Sequence, residues 1–179
     1  RDDKMRDLYL CFDLDGTLID TLDDIGDAVN RVLEARGYPV HPIDAYRYFI
    51  GDGSAVLVRR ALPAGARREP LIRDCLADFM DAYDQNWDKK TRPYPGIAKM
   101  LDNLMDRDIP VAVLTNKPHA FAVKCVDRLL SQWNFDLVFG QREKVPKKPD
   151  PAGALEVAAL LKIVPEEFLY LGDSAVDMK

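Results

Sequence analysis

The chain has 179 residues, 47% of them hydrophobic and 31% charged, with a formal net charge of −5 at neutral pH. That length can bury one sizeable core, or one core with a small inserted domain, and the acidic balance argues against a nucleic-acid surface, which needs concentrated Lys and Arg. No apolar run approaches the roughly 18 residues of a membrane span and no secretory leader opens the chain, so a cytoplasmic protein without a membrane partner is expected. Cys11, Cys75 and Cys125 are odd in number, far apart and set among apolar neighbours, as reduced core cysteines of an intracellular protein would be. His41 and His119 share no motif with any of them, which argues against a cysteine nucleophile.

Leu8 to Phe12 is a short apolar run of the length of a buried strand, and it ends in Asp13-Leu14-Asp15-Gly16-Thr17. From Thr21 the pattern turns helical. Thr21 is placed to cap, with Asp24 three residues on, and Leu22, Ile25, Val29, Val32 and Leu33 recur at helical spacing up to Gly37. Pro42 opens a short helix in which Tyr48 or Phe49 is expected in the core. Gly51-Asp52-Gly53 breaks it, Ala55 to Leu62 is a third helix, and a long fourth runs from about Arg67 to Trp87. A block of helices with no strand points to an all-helical insertion over 20–90, leaving a main domain of 1–19 and 91–179.

After Pro95 the pattern becomes alternating. Gly96 to Met105 reads as helix, Pro110 to Leu114 as a strand buried on both faces, and the stretch around Phe121 to Leu129 as helix. Phe135 to Phe139 is the next strand. A basic, turn-rich segment from Arg142 to Pro151 leads into the helix Ala152 to Leu161, and the strand Phe168 to Leu171 runs into Gly172-Asp173-Ser174-Ala175-Val176-Asp177. Four strands alternating with helices predict an α/β fold, a Rossmann-like open parallel sheet with right-handed crossovers.

The polar groups of interest follow the carboxyl ends of those strands: Asp13 and Asp15, then Thr115 and Asn116, then Lys148, then Asp173 and Asp177. Ligands of open α/β sheets bind along that edge. Gathering carboxylates there opposes folding, because like charges repel and each loses hydration. A hard cation such as Mg²⁺ between them resolves the conflict, and a lysine with a hydroxyl suits a phosphate. Together these groups point to phosphoryl transfer.

Asp13-Leu-Asp-Gly-Thr-Leu18, Thr115-Asn116, Lys148-Pro149-Asp-Pro151 and Gly172-Asp-Ser-Ala-Val-Asp177 resemble, in order and spacing, the four motifs of the haloacid dehalogenase superfamily. Ile50-Gly-Asp-Gly-Ser-Ala-Val-Leu-Val-Arg-Arg-Ala-Leu62 and Thr91-Arg-Pro-Tyr-Pro-Gly96 are similar to its phosphoglycolate phosphatase group. The resemblance implies a Mg²⁺-dependent phosphomonoester hydrolase working through an aspartyl-phosphate on a small phosphorylated metabolite, as a monomer or homodimer. Asp13 would be the nucleophile and Asp15 the general acid and base. Asp13, the Asp15 backbone carbonyl and Asp173 would hold the metal, while Thr115, Asn116 and Lys148 would bind the phosphoryl group. Thr17 would hydrogen-bond Asp15, Asp177 would orient Lys148 or a metal-bound water, and the helical insertion would be a cap, in which the Gly51 to Gly53 turn is a candidate for substrate contact and Arg59 or Arg60 either meets a substrate carboxylate or lies on a solvated helix face. The resemblance also implies a further strand and helix past Asp177, so the last core strand is missing from the 179 residues. A phosphatase for sugar phosphates, nucleotides or pyrophosphate is the neighbouring alternative. A β-phosphoglucomutase-like enzyme is less favoured, since Ile25 stands where that group has a histidine. A non-catalytic binding protein on the same scaffold would not be expected to keep Asp13, Asp15, Lys148 and Asp173.

Overall fold

A computed structural model describes residues 8–179, which divide into two compact units, one of Asp20–Arg92 and the other of the residues up to Ile19 with Pro93–Lys179. Strand β1 (Tyr9–Phe12) is buried along its whole length, as an apolar tetrapeptide in a central strand must be. The chain passes between the units at β2 (Ile19–Asp20) and returns at β3 (Arg92–Pro93), and these two short strands pair with each other.

In the helical unit, α1 (Leu22–Ala35) packs on a 3₁₀ turn (Ile43–Tyr48) and on α3 (Glu69–Asp84), and α2 (Ser54–Ala61) packs on α3. Ile25, Val29, Val32 and Leu33 of α1 are buried, as are Ile72, Cys75, Phe79 and Tyr83 of α3. Gly26 permits the close approach of the 3₁₀ turn, since a Cβ there would lie 2.8 Å from Ile43 Cδ1 and 3.0 Å from Tyr46 Cδ2. The tighter winding corrects the expected core assignment. Tyr46 is fully buried with its hydroxyl on Asn30, whereas Tyr48 is 82% exposed. Thr21 makes no side-chain cap, and Asp24 is not its partner in a capping box. The Asp24 carboxylate accepts instead from the backbone N–H groups of Lys90 and Thr91 and from the Thr91 hydroxyl, at 2.8 to 2.9 Å, tying together the two ends of the unit.

In the α/β unit, α4 (Ile97–Met105) precedes β4 (Val111–Pro118), α5 (His119–Leu129), β5 (Leu137–Gln141), α6 (Ala152–Leu161) and β6 (Phe168–Leu171). The sheet is parallel with order β5-β4-β1-β6, registered by Leu10 opposite Val111 and Leu169. Tyr9, Cys11, Ala112 and Leu114 form one core face under Val157 of α6. The three cysteines are free and buried, and no described helix is long and apolar enough to cross a membrane. From β1 the chain builds β4 and β5 on one side and then crosses back to place β6 on the other, and ligands of such parallel sheets bind in the crevice beyond the carboxyl ends where the strand order reverses. The Asp13 N–H donates to Leu171 O at 2.8 Å, carrying the pairing one residue past β1 and setting Asp13 at that crevice.

The helix expected from about Arg67 to Trp87 is shorter, Glu69–Asp84, and the strand expected over Phe135 to Phe139 is Leu137–Gln141. β4 does not stop at Leu114 but continues through Thr115, Asn116 and Lys117 to Pro118, with every residue from Val111 to Lys117 buried. β1 pairs with this strand only as far as Val113, and the register with β5 shifts between Leu114 and Pro118, so Thr115 to Lys117 lie in an irregular stretch of a central strand rather than in a regular ladder.

Candidate active site

The site begins in the tight loop after β1. Leu14 O accepts the N–H groups of Thr17, Leu18 and Ile19 at 3.0 to 3.3 Å, and Gly16 N donates to Ile19 O at 3.0 Å. Gly16 has φ +83°, a conformation costly for any residue with a Cβ. It is also a matter of space: a Cβ on Gly16 would lie 2.4 Å from Asp173 Oδ2, and one on Gly172 would lie 2.3 Å from Asp177 Cγ. Gly16 thus lets the β1 loop close on the β6 loop, and Gly172 lets the β6 loop fold back on itself.

Asp13 is buried, with Oδ1 accepting the Leu14 N–H at 2.7 Å and Oδ2 lying 3.1 Å from Lys148 Nζ. Burial pushes its carboxyl up to about 6; the Lys148 ammonium and a hydrogen bond from Thr115 pull the other way, and the charges of Asp177 and Asp15 add to the rise. Lys148 Nζ also donates to Asp177 Oδ1 at 2.7 Å and to the Tyr170 hydroxyl at 2.6 Å, which in turn donates to Leu114 O at 2.6 Å. The Asp177 side chain is fully enclosed. Burial would raise its carboxyl, but hydrogen bonds from Lys148 and from the Ser174 N–H and hydroxyl prevail and hold it below the usual carboxylate range.

Asp13, Asp173 and Asp177 each offer an oxygen within 4.8 Å of the others, so three of the expected acids converge. An all-oxygen donor set suits a hard cation, and a carboxyl that burial drives toward its protonated form is what an added positive charge would relieve. The residues present therefore fit Mg²⁺, with Asp177 in the cluster alongside the expected Asp13 and Asp173. The Asp15 carboxylate is turned elsewhere, onto Lys117, whose Nζ lies 3.0 Å and 3.2 Å from its two oxygens.

Thr17 does not hydrogen-bond Asp15. Its hydroxyl donates to Asp173 Oδ1 at 3.0 Å, because the Gly16 turn sets it beside the β6 loop. The Asn116 side chain clamps the backbone of Lys148, donating to its O at 3.1 Å and accepting from its N at 2.9 Å. Arg59 pairs with Glu69, and Arg60 with Asp52 at 2.6 Å, so both arginines considered for substrate contact are held by neighbours in their own unit. Sequence reasoning missed Lys117, Tyr170 and Ser174. For Lys117 a signal was there in its place directly after Thr115-Asn116, and for Tyr170 in a phenol three residues before Asp173 inside an apolar strand.

The model of the haloacid dehalogenase-like hydrolase family matches residues 10–179. A phosphoglycolate phosphatase of Pseudomonas putida is 38% identical over 172 residues, covering 94% of this chain and 63% of that protein. One from Psychrobacter arcticus is 37% identical over 94% of this chain and 76% of its own length. The chain thus spans about three-fifths to three-quarters of the length of these relatives. A crystal structure of a candidate phosphoglycolate phosphatase from Lactobacillus delbrueckii subsp. bulgaricus superposes with a TM-score of 0.89 at 27% identity, covering 95% of this chain and 80% of that one.

Proposed function

Because the chain belongs to the haloacid dehalogenase-like hydrolase family, we propose that it is a Mg²⁺-dependent phosphomonoester hydrolase for a small phosphorylated metabolite, with phosphoglycolate the first candidate. The observation that carries this reading is a buried carboxylate, Asp13, with an ammonium 3.1 Å away and Asp173 and Asp177 close by. Names of relatives support the substrate class, since two phosphoglycolate phosphatases align over 94% of this chain.

In this reading an oxygen of Asp13 attacks phosphorus, the bond to the leaving alkoxide breaks, and an aspartyl-phosphate forms. Asp15 gives its proton to the departing alkoxide. It then takes one from the water that attacks phosphorus, releasing phosphate and restoring Asp13. Lys148 holds Asp13 in place and offsets the charge that gathers around the phosphoryl group, with Thr115 beside it. Asp13, Asp173 and Asp177 are the side chains that would hold Mg²⁺, which supplies a positive charge that lets an anionic nucleophile approach an anionic phosphate. We assign the helical unit the role of a cap that excludes water until the intermediate exists.

A panel of phosphomonoesters with and without Mg²⁺ tests this, with Asp13→Asn as control. The expected outcome is Mg²⁺-dependent release of phosphate, fastest from phosphoglycolate, and a loss of about 10³-fold or more in Asp13→Asn. Equal turnover by wild type and Asp13→Asn would sink the nucleophile assignment. Faster turnover of a sugar phosphate or nucleotide would move the substrate to that class.

A further inference from the structure

We propose that Lys117 is a positioning residue that holds the Asp15 carboxylate in line for proton transfer. This rests on the hydrolase reading above, in which Asp15 carries the proton. Three observations support it.

The first is the ion pair itself. The side chains of Lys117 and Asp15 are only 3% and 12% exposed, and Nζ reaches both carboxylate oxygens, at 3.0 Å and 3.2 Å. A lysine carried into the fold by a central strand needs a partner of opposite charge, and a carboxylate gripped through both oxygens has lost its side-chain rotation.

The second is what the loop around Asp15 leaves undone. Its backbone is pinned through Leu14 O and Gly16, but the neighbouring groups spend themselves elsewhere: the Leu14 N–H goes to Asp13 and the Thr17 hydroxyl to Asp173. Among the described residues, both hydrogen bonds to the Asp15 carboxylate come from Lys117. The orientation of that side chain is therefore set from β4 and not from its own loop.

The third is the division between two lysines. Lys148 serves Asp13, Asp177 and Tyr170, while Lys117 serves Asp15. Asp13 and Asp15, one residue apart on the chain, thereby each receive an ammonium from a different part of the fold, Lys148 before α6 and Lys117 on β4.

Leaving-group chemistry separates this role from a purely structural one. An alkoxide needs a proton as it departs, whereas 4-nitrophenolate does not. With 4-nitrophenyl phosphate in rapid-mixing experiments, Lys117→Met should keep the wild-type rate of the first equivalent of nitrophenolate to within about threefold, because Asp13 attack is untouched. Its steady-state turnover, and kcat for phosphoglycolate, should fall on the order of 10²-fold with KM little changed, the lower end of what positioned proton transfer contributes. In an Asp15→Asn background the same substitution should add no further loss, since a residue acting through another is silent once that other is gone. Lys117→Gln, which keeps one N–H donor, should show the same selective pattern with a smaller loss and serves if the methionine variant does not fold. A first-turnover rate that falls as far as kcat, a KM that rises for both substrates, or an added loss on Asp15→Asn would overturn the proposal, because each assigns Lys117 to the phosphoryl group or to the fold. A wild type that hydrolyses no phosphomonoester would instead overturn the hydrolase reading itself.

Discussion

Asp13 carries a pH signature that can be read without any substrate. Burial lifts its carboxyl from 3.8 to about 6. A group whose pKa is raised on folding contributes stability that is complete below its unfolded pKa and lost as pH climbs through the folded one, here between about 4 and 6 and worth on the order of 3 kcal/mol. Asp177 has the opposite sign: it is held low, so its contribution is present above the ordinary carboxylate range and lost in acid. The metal-free protein should accordingly lose melting temperature from about pH 4.5 to pH 7, and the decline should be absent in Asp13→Asn. Mg²⁺ should raise the melting temperature more at about pH 7.5 than at pH 5, because its donors must be ionised. Calorimetry across that range at fixed ionic strength measures both, and an unchanged profile in Asp13→Asn would show that the ionisation lies elsewhere. The acids were legible in sequence for the same physical reason: carboxylates at the end of an apolar strand oppose folding unless something calls for them. For Lys117 the place after Thr115-Asn116 was a weak signal only, since a lysine after a strand reads as solvated until the strand is known to continue through it.

The length of β4 decides more of the site than any other element. Its last three buried residues carry Thr115 to Asp13, Asn116 to the Lys148 backbone and Lys117 to Asp15. That continuation is secured from β5, where Gly140 lets the two strands and the start of α5 close up. A Cβ on Gly140 would lie 2.5 Å from His119 Cα and 2.6 Å from Lys117 O, both backbone atoms that cannot rotate away. Gly140→Ala should therefore destabilise the protein by about 2 kcal/mol or more, as overpacking against rigid atoms does. Gly65→Ala, where nothing lies within 4 Å, should stay within about 0.5 kcal/mol of wild type. Urea unfolding of the two variants side by side checks this, and equal midpoints would refute the close approach. Hydropathy ended β4 at Leu114 because the next three residues are polar, and hydropathy has no access to a neighbouring strand. The 3₁₀ turn escaped for a related reason. Its i+3 winding buries Tyr46, whereas reading the same residues as an α-helix put Tyr48 or Phe49 in the core.

At the scale of the molecule, the alternation of apolar strands and helices was enough to give the parallel sheet, because β1 and the first half of β4 are apolar throughout. Between β2 and β3 the sequence shows several helical runs divided by Gly and Pro, whereas the closure through Asp24 onto Lys90 and Thr91 was not legible, since a buried carboxylate binding backbone 66 or 67 residues away leaves no local pattern. Every residue assigned a chemical role lies in the α/β unit. Within it, four carboxylates, Asp13, Asp15, Asp173 and Asp177, face two ammonium groups, Lys117 and Lys148, so the crevice itself carries surplus negative charge. A phosphate dianion approaching it alone meets repulsion, least screened around the buried Asp13. Binding should consequently be ordered, with the divalent cation first and the anion second. Inorganic phosphate should then bind measurably by titration calorimetry only after Mg²⁺ is present, and in initial-rate measurements saturating Mg²⁺ should lower the apparent KM for substrate where saturating substrate cannot replace Mg²⁺. On the hydrolase reading the excess of acids would set a sequence in time, with the substrate refused until the crevice has been charged.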